Sequence, residues 1–253
     1  MSEADKEGEE LPFLSHLIEL RSRLLKAVAA ILLLLVALLP FSKKLYGWLA
    51  EPMIANLPVG GQMIATEVAS PFLVPLKLAF FVAVFIAMPI VLYQLWAFVS
   101  PGLYHREKRL AVPLLVSSIV LFYAGCAFAY YLVLPAVFHF MTSVAPDGVA
   151  VMPDITRFLD FALLLFLSFG LCFEVPVALV ILVAIGAVTP TQLSENRPYA
   201  IVGAFVISAI VTPPDVLSMM MLAIPMCLLY EAGIVAARMT VRSRAAPAQA
   251  SAD

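Results

Sequence analysis

Residues 97–110 read AFVSPGLYHREKRL and separate two long apolar runs. The Ser-Pro-Gly within this stretch ends a helix, because proline has no backbone N–H to donate and glycine favours turns. Three bases and one acid, Glu107, then occupy positions 106–109. Basic loops of membrane proteins stay on the cytoplasmic side. The stretch therefore predicts a cytoplasmic loop between two membrane-spanning helices.

The composition also indicates a membrane protein. Of the 253 residues, 63% are hydrophobic and 13% are charged, whereas soluble domains are about half apolar and about a quarter charged. A water-soluble fold of this length has too little interior for so much apolar surface. The formal net charge of −2 gives no indication of a nucleic-acid partner.

The sequence lacks the common signatures of metal, redox and hydrolytic chemistry. Cys126, Cys172 and Cys227 lie in three different apolar runs, and the three histidines are scattered without the spacing of zinc ligands. Patterns of nucleotide-binding loops, zinc proteases, serine hydrolases and calcium-binding loops do not occur. We therefore predict no metal, no cofactor and no enzymatic activity.

The apolar runs predict an all-α, polytopic membrane protein with six transmembrane helices. The predicted spans cover about 24–41, 72–98, 110–135, 157–184, 199–212 and 216–236. They form one membrane domain, 13–238, between disordered tails at 1–12 and 239–253. Residues 13–26 are amphipathic at helical spacing and are expected to lie in the membrane interface.

Two of these spans depart from a simple straight helix. The fourth run is longer than a bilayer needs, and Pro176 predicts a kink beside Glu174. The fifth run has roughly 13 residues and reaches about 20 Å, against about 30 Å for the hydrocarbon core. We expect both the fifth and the sixth helix to be short.

The basic residues predict the orientation. With six spans and the N-terminus inside, 11 of the 15 Lys and Arg residues lie at the inner side, and both termini are cytoplasmic. The four at the outer side are Lys43, Lys44, Lys77 and Arg157.

Three acids are candidates for function. Glu174 is costly near the middle of a span, so it is either an internal hydrogen-bond partner or a contact for another helix. Glu19 precedes Arg23 by four residues, which is a favourable helical pair, and Glu107 could simply be a solvated loop acid. Both nevertheless fall at the inner surface, where two converging carboxylates would suit a peptide with adjacent arginines.

Several longer motifs resemble the TatC family, the core receptor of the twin-arginine protein translocase. The motifs, in chain order, are HLIELRSRLL (16–25), MIATEVASPF (63–72), YQLWAFVSPGLYHREKR (93–109), VPLLVSS (112–118), FGLCFEVPV (169–177), RPYAIVGAFVISAIVTPPD (197–215) and MLAIPM (221–226). The resemblance runs from about residue 13 to about residue 240.

This resemblance implies a cupped, glove-like protein of the bacterial inner membrane that binds twin-arginine signal peptides of folded precursors. It implies single-span partners, TatB and TatA, further copies of the chain, surrounding membrane lipid, and transport driven by the proton-motive force. The resemblance assigns signal-peptide binding to Glu19, Glu107, Arg21 and Phe98. It assigns contact with the partner subunits to Glu174 and Asp215.

Two other functions are compatible with the residues alone. A proton-coupled solute transporter would use Glu174 as its proton carrier, but the sequence shows no internal repeat of the kind that builds two symmetric halves. A membrane-embedded enzyme would need a second polar group near Glu174, and the apolar runs supply few.

Overall fold

The structure is a computed structural model that describes residues 3–55, 57, 62–99, 108–144, 146, 152–212 and 216–249. Side chains are described within 18–98, 112–212 and 216–241, except residue 217. Ten α-helices lie within the described residues. They are α1 (Glu3–Leu38), α2 (Ser42–Ile54), α3 (Ser70–Val99), α4 (Lys108–Phe128), α5 (Leu134–Ser143), α6 (Ile155–Phe173), α7 (Val175–Ala184), α8 (Pro190–Glu195), α9 (Arg197–Val211) and α10 (Val216–Gln249).

The prediction of an all-helical membrane protein with six apolar helices is confirmed. Five helical stretches are long and apolar enough to cross a membrane, and the sixth is the shorter α9, Arg197–Val211. The five are Ile18–Ile54, Ser70–Phe98, Val112–Ser143, Ile155–Ala184 and Ser218–Val241. Six crossings bring both ends of the chain to the same side.

The sixth helix corrects one expectation. It was predicted to be short, but α10 has 34 residues. The helix continues into the segment that the composition assigns to a disordered tail, and α1 likewise begins at Glu3 within the acidic tail. Propagating a helix that a span has already nucleated requires little additional free energy per residue, so both membrane helices extend beyond the apolar run.

The fourth run is broken where the sequence predicts a kink. Helix α6 ends at Phe173, Glu174 is a turn residue, and α7 begins at Val175. Pro176 cannot donate to the carbonyl of Cys172, and the N–H of Glu174 turns towards the carbonyl of Leu171 at 3.1 Å. The break therefore follows directly from one proline.

The third span contains a second irregularity. Between α4 and α5, residues Ala129–Val133 form a π-helical segment, and Pro135 is the second residue of α5. Such segments relieve the strain where a helix loses a hydrogen bond. They let α4 and α5 continue in one direction as a single apolar stretch.

The main core lies between α3, α4, α6 and α2. Large aromatic side chains fill it, with Phe122 and Phe169 fully buried and Phe85 packed against both Phe122 and Phe166. A smaller core forms between α7, α8 and α10 around Leu179, Leu193 and Ile234. We refer to the first as the scaffold core and to the second as the C-terminal core.

Candidate functional site

The packing of α1 on α3 positions the first candidate acid. Leu35 and Leu39 near the end of α1 line the same groove as Leu73 and Phe80 near the start of α3, so the two helices run antiparallel. At about 1.5 Å per residue, Glu19 lies level with the last residues of α3. We refer to this end, which also holds α8, as the inner end, and to the opposite end as the outer end.

Glu19 forms the ion pair with Arg23 that the sequence predicts. The Nε and Nη2 atoms of Arg23 both bond Oε1 of Glu19, at 2.9 and 2.5 Å. The Glu19 side chain remains 38% exposed. Among the residues whose side chains are described, none bonds its Oε2, so half of the carboxylate can still accept a further donor.

The other predicted binding residues are described unequally. Arg21 is exposed on the side of α1 opposite to the Glu19–Arg23 pair, and Phe98 is half-buried at the end of α3. Glu107 lies outside the described residues, in the loop that joins α3 to α4. Whether Glu107 converges with Glu19 is therefore not described, although α3 ends at the same level as Glu19.

Glu174 sits at the break between α6 and α7. Its Oε1 atom is buried and has no hydrogen-bond partner among the described residues. Ser118, which is 2% exposed on α4, lies beside the same carboxyl group. A buried polar atom without a partner costs about 1–3 kcal/mol, so this site is a place where a further donor would be stabilising.

The end of α9 is closed by side chains from its own last turn. The Thr212 hydroxyl donates to the carbonyl of Ser208 at 2.8 Å, and the Ser208 hydroxyl donates to that of Ala204 at 2.7 Å. Thr212 itself adopts an extended conformation, as expected before a proline. Asp215, the remaining candidate, lies outside the described residues.

A clamp at the inner end was not predicted from the sequence. Arg197 at the start of α9 bonds Glu231 of α10, with Nη2 2.9 Å from Oε2. The Tyr230 hydroxyl donates to the carbonyl of Leu193 at 2.8 Å, and Arg238 donates to the Ser194 hydroxyl at 2.6 Å. Glu231 was ambiguous in the sequence because its partner lies 34 residues away.

A second feature, at the outer end, was also missed. Asp154 caps α6 by accepting from the backbone N–H groups of Thr156 and Arg157, and it also accepts from the N–H and the hydroxyl of Thr66. These hydrogen bonds, led by the backbone N–H of Thr66, lower the pKa of Asp154 from 3.8 to about 2. Ile64 extends the contact with an isolated β-bridge to Asp154.

Lys77 and Asp160 also pair across the outer end. The Lys77 Nζ atom lies 2.5 Å from Oδ1 of Asp160, and both side chains are nearly half exposed. The sequence explains each charge separately by snorkelling to the interface. The structure instead joins them, because α3 and α6 pack side by side.

The comparisons with known proteins agree with this architecture. The family model described as "Sec-independent protein translocase protein (TatC)" matches residues 15–225. The TatC protein of Haemophilus influenzae is 54% identical over 230 residues, covering 91% of this chain and 90% of its own length. The TatC protein of Escherichia coli K12 is 49% identical, covering 91% and 89%.

A solved structure matches over nearly the whole fold. The crystal structure of the twin-arginine translocase receptor TatC is 37% identical in sequence and superposes with a TM-score of 0.78. The match covers 89% of this chain and 99% of that chain. The transporter alternative finds no support in any of these relatives. The chain therefore belongs to the TatC family of Sec-independent protein translocase proteins.

Proposed function

We propose that this multi-pass membrane protein is a non-enzymatic receptor that binds twin-arginine signal peptides at its inner, cytoplasmic end. The observation that carries the proposal is the partly exposed Glu19 carboxylate, whose Oε2 accepts no bond from the described side chains. An incoming guanidinium can bond that oxygen without first displacing Arg23. Glu107, in the loop after α3, would supply the second carboxylate, and Arg21 and Phe98 would contact the flanking peptide.

The choice of arginine follows from geometry. A guanidinium offers several donors in a planar fork that matches a carboxylate, whereas a lysine ammonium is a point charge with no fork. Two adjacent arginines therefore suit two carboxylates at the same end of the protein. Lysines in the same positions would keep the charge and lose the paired hydrogen bonds.

We also propose that Glu174, α9 and Asp215, which lies between α9 and α10 in the sequence, contact single-span partner subunits of the TatB and TatA type. The unpartnered Oε1 of Glu174 supports this proposal, because a polar group from another helix would satisfy it. Most of the large side chains of α9 are exposed, and Ala204 and Ser208 are its buried residues. Such a surface can accept another helix without rearranging the core.

The first test measures peptide binding to the protein in lipid nanodiscs. Glu19→Gln should weaken binding of a twin-arginine peptide about tenfold or more, because a charge-assisted pair is lost. A twin-lysine peptide should lose much less. The matched control is Glu195→Gln, which removes an exposed acid of α8 at the same end. An equal loss for both peptides would contradict recognition by an arginine fork.

The second test separates the two sites. Glu174→Gln should leave peptide binding intact and change which single-span subunits purify with the protein. Loss of peptide binding together with a lowered thermal midpoint would instead mean that Glu174 has a structural role only.

A further inference from the structure

An amphipathic groove opens at the outer end between α1, α3 and the start of α6. It has a volume of about 620 Å³. Its walls are largely apolar, with Leu35 of α1 and Leu39, which directly follows α1, facing Leu73, Leu76 and Phe80 of α3. The three α3 residues span about 10 Å along the helix axis, which is enough to hold a length of extended hydrocarbon.

The upper end of this outer groove is polar. Glu67 precedes α3 and is exposed, Ser70 and Thr156 bond each other through their hydroxyls at 2.8 Å, and Lys77 lines the wall below them. Glu67 and the Ser70–Thr156 pair therefore lie at the end nearest the loops, and Lys77 lies deeper, between Leu76 and Phe80 along α3. An acid above a base matches the order of an ethanolamine headgroup in an outer leaflet, whose ammonium lies outside its phosphate.

The charges at the polar end are not balanced. Lys77 is already paired with Asp160, while no cation among the described residues pairs with the Glu67 carboxylate. One negative charge is thus left over at the mouth of the groove. Lys77 still keeps donors beyond its bond to Asp160, because an ammonium has three.

We propose that the outer groove binds a phosphatidylethanolamine molecule. Its primary ammonium bonds Glu67, its phosphate accepts from Lys77, and one acyl chain lies along Leu76, Phe80 and Leu35. A glycerol headgroup supplies no positive charge for Glu67, and a choline headgroup supplies charge without N–H donors. Both lipids should therefore bind more weakly at this site. The inference does not depend on signal-peptide recognition, which concerns the opposite end.

The first experiment measures lipid binding to the full-length protein in detergent by native mass spectrometry. Matched amounts of phosphatidylethanolamine, phosphatidylcholine and phosphatidylglycerol are titrated. Wild-type protein should bind the first ethanolamine lipid in preference to the other two. Glu67→Gln should reduce that preference about three- to tenfold, the range of an exposed charge-assisted hydrogen bond. Glu51→Gln, which removes an exposed acid of α2, should change nothing.

A second variant tests the groove itself. Leu76→Trp fills the apolar wall and should weaken the first bound lipid whatever its headgroup, without changing twin-arginine peptide binding. Equal affinity of wild-type protein for all three lipids, or an unchanged preference in Glu67→Gln, would overturn the proposal. So would a photo-reactive residue at position 76 that cross-links in native membranes to a protein rather than to a lipid.

Discussion

The scaffold helices α3, α4 and α6 and the short helix α9 are all apolar, yet they are packed differently. Half of the scaffold's α6 is buried against its neighbours, including Phe166, Phe169 and Gly170, while α9 buries Ala204 and Ser208 and exposes Ile210 to 77%. The scaffold thus fixes the shape of the molecule. Most of the surface of helix α9 is exposed, and the ion pair of Arg197 with Glu231 joins its inner end to α10.

The largest expected difference between the two regions concerns side-chain truncation. Phe169→Ala removes a fully buried ring that packs on Phe128 and should lower the free energy of unfolding by about 3–5 kcal/mol. Ile210→Ala in α9 should change it little. Unfolding midpoints measured in one detergent give the comparison. Similar losses for both variants would mean that α9 is packed as tightly as the scaffold.

Glycine substitutions provide a second contrast. A Cβ at Gly125 would lie 2.5 Å from the carbonyl oxygen of Phe169, so Gly125→Ala must push α4 away from α6 and should cost about 1–3 kcal/mol. A Cβ at Gly203 in α9 meets nothing within 4 Å. Gly203→Ala should therefore stabilise the protein by up to about 1 kcal/mol through helix propensity.

The same pair of variants tests the proposed use of α9. If α9 contacts a partner helix in the membrane, Gly203→Ala should weaken copurification of that partner even though the isolated protein is more stable. Thermal melts and subunit pull-downs are read on the same preparations. Unchanged copurification would indicate that the partner surface lies elsewhere.

Two tyrosines sharpen the description of the scaffold. The Tyr130 hydroxyl donates to the carbonyl of Trp48 at 2.8 Å, and that carbonyl lacks its helical donor because Pro52 stands four residues later. In the same way, the Tyr123 hydroxyl donates to the carbonyl of Phe85 at 2.9 Å, and that carbonyl lacks its helical donor because Pro89 stands four residues later. Each tyrosine therefore compensates for a proline in a neighbouring helix.

Tyr130→Phe should cost about 0.5–1.5 kcal/mol, the typical net value of one hydrogen bond. The cost should shrink in a Pro52→Ala background, because the substituted alanine then supplies the missing backbone N–H. A double-mutant cycle on unfolding midpoints measures the coupling. Additive effects would mean that the hydroxyl and the proline act independently.

The smallest expected effect concerns pH at the outer end. The pKa of Asp154 is about 2 in the folded protein, against 3.8 for an unperturbed group, so folding favours the ionised form of its carboxyl group. That contribution is complete above about pH 4 and disappears as the pH falls towards 2. The unfolding midpoint of Asp154→Asn should be lower than that of wild type at pH 6, and the gap should close below pH 4. A gap that persists to pH 2 would contradict this role.

The sequence predicted the elements better than the contacts between them. The apolar runs, the break at Pro176 and the pairing of Glu19 with Arg23 all arise from local spacing, and all three are present. The pairs that join distant elements were not predictable, because Lys77 and Asp160 lie 83 residues apart and a single sequence carries no record of which helices are neighbours. The length of α10 was underestimated for a different reason, since hydropathy reports the span and not the helix that continues beyond it.

The wide sequence separation of the outer-end contacts has a consequence for membrane insertion. Synthesis proceeds from the N-terminus, so Lys77 enters the bilayer before its partner Asp160 has been synthesised. In the same way, Thr66 is synthesised before its partner Asp154. During that interval the second span carries an ammonium with no carboxylate beside it. Both outer-end contacts therefore form only after the fourth span has been synthesised. A chain truncated before α6 would lack both the ion pair of Lys77 and the partner of Thr66.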